Sequence, residues 1–464
     1  MSLPKRLAIS GFHHATLAAH LFPGDGLEAA AVALCGKLAG TATKLCVQDV
    51  ILIPHERCDR AIDAVSWPTD LLEETLNRAK ADDLSVLLIH SHPRGFWEFS
   101  EKDDRSDADV VPDIFDELEG KAVHVGTAIM IADGAMKVRI YDQEMQPTVL
   151  DQVLVAGNDI RVIRSERRMA PMAFGKDMTA QLEDLHACIV GVSGTGSVVA
   201  EQTGRLGFGR ITLIDPDHIE FKNLNRILNS TAADVEAERL KPERFREAIL
   251  SFRPNTDVRA ISLSIEDREA VLAAADADVL FCCVDTATGR QMCDLIANAF
   301  VIPLIDVGVT IPTAKAEEVR EIADVVGRID YIQPAGSTLY DRGVYTQRTL
   351  RAEELVRTDP DRYAEELADG YIDGAPEEEP SVISLNMRAA SAAVNEFIAR
   401  AFPYRFEPNR YYARTEFSLA EMSESYFSEV TWTANSCLSL IGRGGKEPLL
   451  GIPSLGPRPL RGAA

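Results

Sequence analysis

The sequence predicts an α/β protein built from two domains. At 464 residues, of which 46% are hydrophobic, the chain can bury two ordinary cores. The apolar run from Val86 to Ile89 predicts a buried strand in the first third of the chain. Farther on, residues 187–215 read as strand, glycine-rich turn, helix and strand, which is half of a doubly wound fold. We therefore expect an N-terminal α/β domain followed by a Rossmann-like domain.

The first candidate site follows the strand directly, in the segment HSHPRGFWEFSEKD. His90 and His92 are two residues apart, so an extended strand points both imidazoles the same way. Asp103 offers a carboxylate oxygen as third ligand, which leaves the fourth tetrahedral position open, as a catalytic zinc site requires. Ser100, one helical turn earlier, could donate a hydrogen bond to a developing oxyanion. The alternative is a strand end with solvated polar residues.

These residues form the pattern H-x-H-x7-S-x-x-D, and over roughly the first 145 residues the chain resembles the JAMM (MPN-domain) metallopeptidases. The resemblance implies a bound zinc ion and an upstream glutamate that acts as general base on the attacking water. Glu28, which follows a glycine-rich turn, occupies that place. The alternative for Glu28 is a surface carboxylate.

The second candidate site begins with the turn GVSGTGS. Gly191, Gly194 and Gly196 would let the backbone approach phosphates at a helix N-terminus, where free N–H groups and the helix dipole favour anions. Asp215, at the end of the next strand, could bind ribose hydroxyls. On these residues alone, an NAD-binding Rossmann domain is the alternative.

Downstream of Asp215, the segments DPDHIEFKNLNR and FCCVDTATGR resemble the ubiquitin-activating and ThiF/MoeB-type adenylyltransferases. The resemblance implies an ATP site formed by Asp215, Asn223, Arg226, Lys241 and Asp285. In that interpretation Arg226 and Lys241 neutralise phosphate charge, and Asp285 holds magnesium.

Arg167 or Arg168, before the glycine turn, stands where the same family places an arginine that reaches the ATP of its own or a partner subunit. The alternative is a solvated arginine cluster.

The eight cysteines include no C-x-x-C pair, which favours reduced thiols. Adenylyltransferases of this family often carry structural zinc on two such pairs, but Thr338 and Asp341 stand where the first pair is expected. Cys437 is all that remains of a second, so no structural zinc is expected. Cys437 is interpreted as a relic, a packed or surface thiol, or an acyl acceptor on an accessible, mobile segment. Predicted core strands contain Cys188, Cys282 and Cys283.

Residues 1–148 are expected to form the metallopeptidase-like domain, 149–164 a linker, and 165–464 the adenylation domain with a C-terminal extension. The formal net charge of −24 argues against nucleic acid or an anionic membrane as the main partner. The sequence has no membrane-spanning apolar run and no signal-peptide core at its start, so we expect a cytoplasmic protein.

The two resemblances together imply a shared substrate. They predict an enzyme that activates a small ubiquitin-like protein with ATP and magnesium and processes or deconjugates it with zinc, in a prokaryotic conjugation pathway. A homodimer and a conjugating enzyme are further expected partners. One alternative is a sulfur-carrier adenylyltransferase of cofactor biosynthesis. The other is an adenylating enzyme whose first domain serves only for docking.

Overall fold

The computed structural model describes residues 3–38, 44–119, 121, 123–166, 171–316, 319–372, 382–432 and 435–457. Arg167 and Arg168 lie outside the described residues. Within the described ranges, no helix combines the length and the apolar character needed to cross a bilayer.

The chain forms two compact units. The first contains Met1–Ala170, Asn298–Val301 and Ser439–Ala464, and the second contains Pro171–Ala297 and Ile302–Leu438.

Strands and helices alternate along much of the described chain. The strands are β1 (Arg6–Ser10), β2 (Ala30–Lys37), β3 (Lys44–Leu52), β4 (Asp59–Arg60), β5 (Val65–Ser66), β6 (Ser85–His92), β7 (Val125–Ile131), β8 (Met136–Tyr141), β9 (Pro147–Val149), β10 (Gln152–Ala156), β11 (Ile160–Arg164), β12 (His186–Val190), β13 (Arg210–Ile214), β14 (Asp257–Ile261), β15 (Val279–Cys282), β16 (Leu304–Thr310), β17 (Thr313–Ala316), β18 (Val319–Ile322), β19 (Val326–Ile332), β20 (Arg414–Ser418) and β21 (Ser423–Phe427). The α-helices are α1 (Gly11–Leu21), α2 (Asp70–Asp82), α3 (Glu101–Glu117), α4 (Lys176–Leu182), α5 (Gly194–Leu206), α6 (Ala232–Glu236), α7 (Lys241–Phe252), α8 (Arg268–Ala275), α9 (Ala287–Ala299), α10 (Gln347–Thr358), α11 (Pro360–Ala368) and α12 (Ile383–Ala401).

The first unit is built on a mixed nine-stranded sheet of order β11-β10-β1-β3-β2-β6-β7-β8-β9. Side chains alternate between its two faces, and each face buries its own apolar cluster. Leu87 and Ile89 join the cluster that contains Leu17 and Leu21 of α1. Their neighbours on β6 face the cluster that includes α2 and α3. With both faces covered, β6 reads as the continuous apolar run seen in the sequence.

The second unit contains an eight-stranded sheet of order β14-β13-β12-β15-β16-β19-β20-β21. The first five strands in this order, β14, β13, β12, β15 and β16, are parallel to one another. The remaining strands, β19, β20 and β21, each pair antiparallel with the strand before them in the order. On α12, the Phe397 ring packs at an angle against the rings of Phe208 and Phe281, which holds that helix on the sheet. The predicted helix at Val198–Leu206 begins earlier, at Gly194, and ends as predicted at Gly207, whose φ of 102° suits glycine.

Residues 439–457 pack in the first unit, whereas the sequence placed this segment with the adenylation domain. The Gly445 N–H donates to the Lys37 carbonyl at 2.7 Å, and Lys446 pairs with Asp82 at 2.5 Å. A Cβ on Gly36 would lie 2.2 Å from the Gly442 carbonyl oxygen. The glycines of this segment therefore allow its backbone to lie against β2, a contact that local sequence patterns do not encode.

Candidate functional site

The two histidines at the end of β6 converge with a carboxylate from α3. The Nε2 atoms of His90 and His92 lie 3.0 Å apart. The Asp103 carboxylate lies 3.1 Å from His90 Nε2 through Oδ1 and 3.6 Å from His92 Nε2 through Oδ2. One ligand atom from each residue fits within 4.8 Å of the others. Two imidazole nitrogens and one carboxylate oxygen are a donor set that catalytic zinc takes.

Neighbouring groups orient these side chains. The Phe96 carbonyl lies 2.8 Å from His92 Nδ1, which places a proton on Nδ1 and leaves Nε2 for a metal. The Asp103 N–H donates to Ser100 Oγ at 3.2 Å, and the Ser100 N–H donates back to Asp103, a capping box that begins α3. Burial opposes the charge of Asp103, but hydrogen bonds from both histidines outweigh it and hold its pKa far below the usual value.

Glu28 lies beside this cluster, two residues before the neighbouring strand β2. Ala30 pairs with His90 in the β2–β6 ladder, and Ala29 and Ser91 exchange hydrogen bonds, so the register brings Glu28 level with His92. The side chain of Glu28 is buried, and burial raises its pKa, although the charges of the histidines oppose this shift. A raised pKa suits a carboxylate that accepts and returns a proton near neutral pH.

In the second unit, three functional positions lie at one edge of the sheet. Gly191, Asp215 and Asp285 follow the parallel strands β12, β13 and β15, whose carboxyl ends share that edge. Gly191 has a φ of 85°, in the left-handed region that favours glycine. A Cβ on Gly196 would lie 1.7 Å from the Gly191 carbonyl oxygen. The turn thus has no room for side chains at these positions, as close approach to a phosphate requires.

Asp215 and Lys241 form an ion pair at this edge of the sheet. The Asp215 carboxylate accepts hydrogen bonds from the Val192 N–H at 2.7 Å and the Asp217 N–H at 2.9 Å. Lys241, the first residue of α7, places Nζ 3.5 Å from Asp215 and 2.8 Å from Asp217. Burial raises the pKa of Asp215, and the charge of Lys241 opposes the shift. The buried ammonium of Lys241 can stabilise the negative charge of a polyphosphate bound at the glycine turn.

Arg226 also lies at the glycine turn, while Asn223 supports the loop that carries it. The Arg226 side chain comes within 3.3 Å of the position that a Cβ of Gly194 would take, and its guanidinium donates to the Lys222 carbonyl at 3.0 Å. Asn223 is buried and accepts a hydrogen bond from the Glu220 N–H at 3.1 Å. Of the two, Arg226 is therefore the residue whose side chain lies at the glycine turn.

Asn386, near the start of α12, was missed by the sequence analysis. It is buried, and its Nδ2 would be 2.2 Å from a Cβ on Gly194, so it closes one side of the turn. The available signal was a polar residue within an otherwise amphipathic helix.

Cys437 is buried, which agrees with a packed thiol and disfavours the acyl acceptor, because an acceptor needs an accessible thiol. Burial raises its pKa to about 12, which makes it a poor nucleophile. Thr338 and Asp341 bind each other through side-chain and backbone hydrogen bonds, and the Ser436 N–H donates to Asp341 at 3.1 Å. Hydrogen bonds therefore tie together the two segments where relatives were expected to carry metal-binding thiols. Buried positions are confirmed for Cys188, Cys282 and Cys283.

Comparisons with known families agree with the two expected domain types. Residues 13–141 match the family described as prokaryotic homologs of the JAB domain, and residues 165–356 match the ThiF family. The chain is a fusion of a JAB-like domain and a ThiF-like domain. The expected fold class, an N-terminal α/β domain followed by a Rossmann-like adenylation domain, is confirmed.

The individual relatives each match about a third of this chain and differ in name. Ubiquitin-like modifier-activating enzyme 5 of Caenorhabditis briggsae is 27% identical over 171 residues, or 34% of this chain and 36% of that protein. The sulfur carrier protein ThiS adenylyltransferase of Escherichia coli is 26% identical over 148 residues, or 32% of this chain and 58% of that protein. The chain thus spans between about a third and three fifths of these relatives. The E. coli MccB crystal structure matches 58% of this chain and 67% of its own at a TM-score of 0.42 and 18% identity.

Proposed function

We propose that this protein adenylates the C-terminal carboxylate of a small ubiquitin-like or sulfur-carrier protein with ATP, and that its JAB-like domain cuts at the same terminus with zinc. The observation that carries the proposal is the placement of Arg226, Lys241 and Asp215 around one glycine turn. Gly191 and Gly196 have no room for a Cβ, so the backbone of this turn can approach a phosphate closely. Both named relatives act, by their names, on small modifier or carrier proteins.

In the adenylation step, a carboxylate oxygen of the carrier attacks the α-phosphorus of ATP. A P–O bond forms, the bond to the β-phosphate bridging oxygen breaks, and pyrophosphate leaves with that electron pair. Lys241 and Arg226 stabilise the charge on the phosphates, and Asp215 accepts hydrogen bonds from ribose hydroxyls. A magnesium ion at Asp285 would neutralise part of the charge on the triphosphate.

In the cleavage step, water adds to the carbonyl carbon of the scissile bond and the C–N bond breaks. Glu28 takes the proton of that water and returns it to the leaving amine. Ser100 donates a hydrogen bond to the oxyanion. A zinc ion held by His90, His92 and Asp103 would act as the Lewis acid.

The buried state of Cys437 bears on the fate of the adenylate. A thiol with a pKa of about 12 is a weak acceptor at neutral pH, so the acyl group would pass to the thiol of a partner, such as a conjugating enzyme, or to a sulfur donor. The net charge of −24 favours a protein partner over nucleic acid.

The proposal is tested by ATP–pyrophosphate exchange with the full-length chain and a panel of small ubiquitin-like and sulfur-carrier proteins. Exchange should depend on the carrier and should be lost in Arg226→Ala and Asp285→Ala, while Lys222→Ala, an exposed neighbour, keeps it. Full exchange in Arg226→Ala would overturn the assignment of the site. The class of carrier that supports exchange decides between ubiquitin-like conjugation and cofactor biosynthesis.

A further inference from the structure

The loop that carries Asp285 is held by contacts within itself. Thr286 Oγ1 accepts a hydrogen bond from the Gly289 N–H at 3.2 Å. Arg290 lies one turn into α9, and its guanidinium donates to the Asp285 carbonyl at 3.4 Å and pairs with buried Asp306. These contacts fix the carbonyl side of the loop. Asp285 itself is exposed at the edge of the sheet. The position of its carboxylate therefore depends on how firmly the backbone of the loop is held.

A carboxylate from a distant helix fixes the other side. Glu353, on α10, accepts hydrogen bonds from the Ala287 N–H at 2.6 Å, the Thr288 N–H at 2.9 Å and the Thr288 hydroxyl at 2.8 Å. Ala287 is the first residue of α9, and the first N–H groups of a helix have no partner within it. In most helices a residue just before the helix caps them, whereas here Glu353 supplies the cap from 65 residues away.

We infer that Glu353 is a positioning residue for the adenylation proposed above, acting on the loop that carries Asp285. The inference rests on that proposed function. Glu353 holds the amides two and three residues after Asp285, so its loss would let the loop leave the geometry in which Asp285 meets the metal of a bound nucleotide. The apparent metal affinity falls in proportion to the fraction of time that the loop is competent.

Glu353 is itself held by a packed element. Ala352 and Leu355, on either side of it, are buried in a small cluster with Ile372 and Tyr363. This cluster joins α10 and α11 into a helical hairpin, so the position of the Glu353 carboxylate follows the position of the hairpin. Whatever moves the hairpin, such as a bound carrier protein, would therefore change the metal site without touching ATP.

The test uses the full-length protein, a non-hydrolysable ATP analogue, and Mn²⁺ as a paramagnetic substitute for Mg²⁺. Electron paramagnetic resonance gives the affinity for Mn²⁺ with the analogue bound, and calorimetry without metal gives the affinity for the analogue alone. In Glu353→Gln, one oxygen that accepts becomes an NH₂ that cannot. If the loop then holds Asp285 correctly for about a tenth of the time, Mn²⁺ affinity falls about tenfold. The affinity for the analogue without metal stays within about twofold of that of the unmodified protein. Glu354→Gln, at the exposed next residue, changes neither the Mn²⁺ affinity nor the affinity for the analogue.

A purely structural cap would give a different result. Glu353→Gln would then lower the melting temperature but leave Mn²⁺ affinity unchanged in the folded protein, and this outcome would overturn the inference. If Glu353→Gln does not fold, Thr288→Val removes one of the three hydrogen bonds, and unchanged Mn²⁺ affinity in that variant would equally overturn it. Failure of the unmodified protein to bind the analogue would instead overturn the proposed function, and the role of Glu353 with it.

Discussion

The Nε2 atoms of His90 and His92 lie 3.0 Å apart, within hydrogen-bond distance of each other. Two neutral imidazoles whose Nδ1 atoms carry the protons would repel through facing lone pairs, so a proton or a metal must lie between them. The Phe96 carbonyl favours the Nδ1 proton on His92, and Asp103 reaches both rings. The three side chains thus converge on one point, where a single metal ion could bind all of them.

Zinc content is the first prediction. Purified without chelators, the protein should contain about one zinc per chain, and Asp103→Ala should lower zinc affinity by at least about tenfold because one of three protein ligands is lost. Metal analysis by plasma mass spectrometry measures this. Asp109→Ala, an exposed aspartate on the same helix, is the control. Equal zinc in Asp103→Ala and the control would contradict the assignment.

Substitution of Glu28 should impair cleavage without changing metal binding. Glu28→Gln keeps the shape of the side chain but cannot take a proton, so cleavage of a ubiquitin-like C-terminal fusion should fall by about 10²- to 10⁴-fold. Zinc content should not change. Glu56→Gln, an exposed carboxylate, should cleave normally. Normal cleavage by Glu28→Gln would return this residue to a structural role.

The contact between Gly194 and Asn386 can be tested with a double-mutant cycle. Gly194→Ala should cost about 1–3 kcal/mol of unfolding free energy, because its Cβ would meet the Asn386 amide. In an Asn386→Ala background the space is open, so the same change should cost clearly less. Chemical unfolding of the four proteins gives the coupling. Additive costs would show that the two side chains do not share this space.

Asp294 should make the stability of the second unit depend on pH. Burial raises its pKa to about 7, although hydrogen bonds from the Leu339 N–H, the Tyr340 N–H and the Tyr345 hydroxyl oppose the shift. The folded state then keeps a proton that the unfolded chain releases near the ordinary aspartate pKa of 3.8. The contribution of this group to stability is therefore full below about pH 4 and declines as pH rises to about 7, by up to about 4 kcal/mol.

The measurement compares unfolding free energies of the unmodified protein and Asp294→Asn between pH 4 and pH 8. The stability of the unmodified protein relative to the variant should fall as pH rises through this range. A difference that does not vary with pH would show that Asp294 titrates near its ordinary value.

Local patterns predicted the parts of both sites that one or two neighbouring elements build. The spacing of His90 and His92 fixes their common direction on a strand, and the glycines after β12 predict the turn because only they fit it. Asp215 and Asp285 follow from the rule that parallel strands end at one edge.

The residues that were missed or misplaced depend on long-range packing. Asn386 and Glu353 lie on helices far along the chain and contact the glycine turn and the Asp285 loop. Nothing in their local sequence indicates which turn or loop they meet. The acyl-acceptor hypothesis for Cys437 required an accessible thiol, and the polar and glycine-rich residues that flank it favoured one. Hydrogen bonds from its neighbours to Asp341 and to the Gly336 carbonyl instead fold that segment against the unit.

The central claim, an ATP site at the edge formed by Asp215 and Lys241, is tested most directly by calorimetric titration of the full-length protein with ATP and magnesium. The unmodified protein should bind one ATP per chain. Lys241→Ala should bind at least about tenfold more weakly, because a buried, charge-assisted contact with phosphate is worth about 1.5–3 kcal/mol. The zinc content of the variant should be unchanged. No binding by the unmodified protein, or equal binding by Lys241→Ala, would contradict the account.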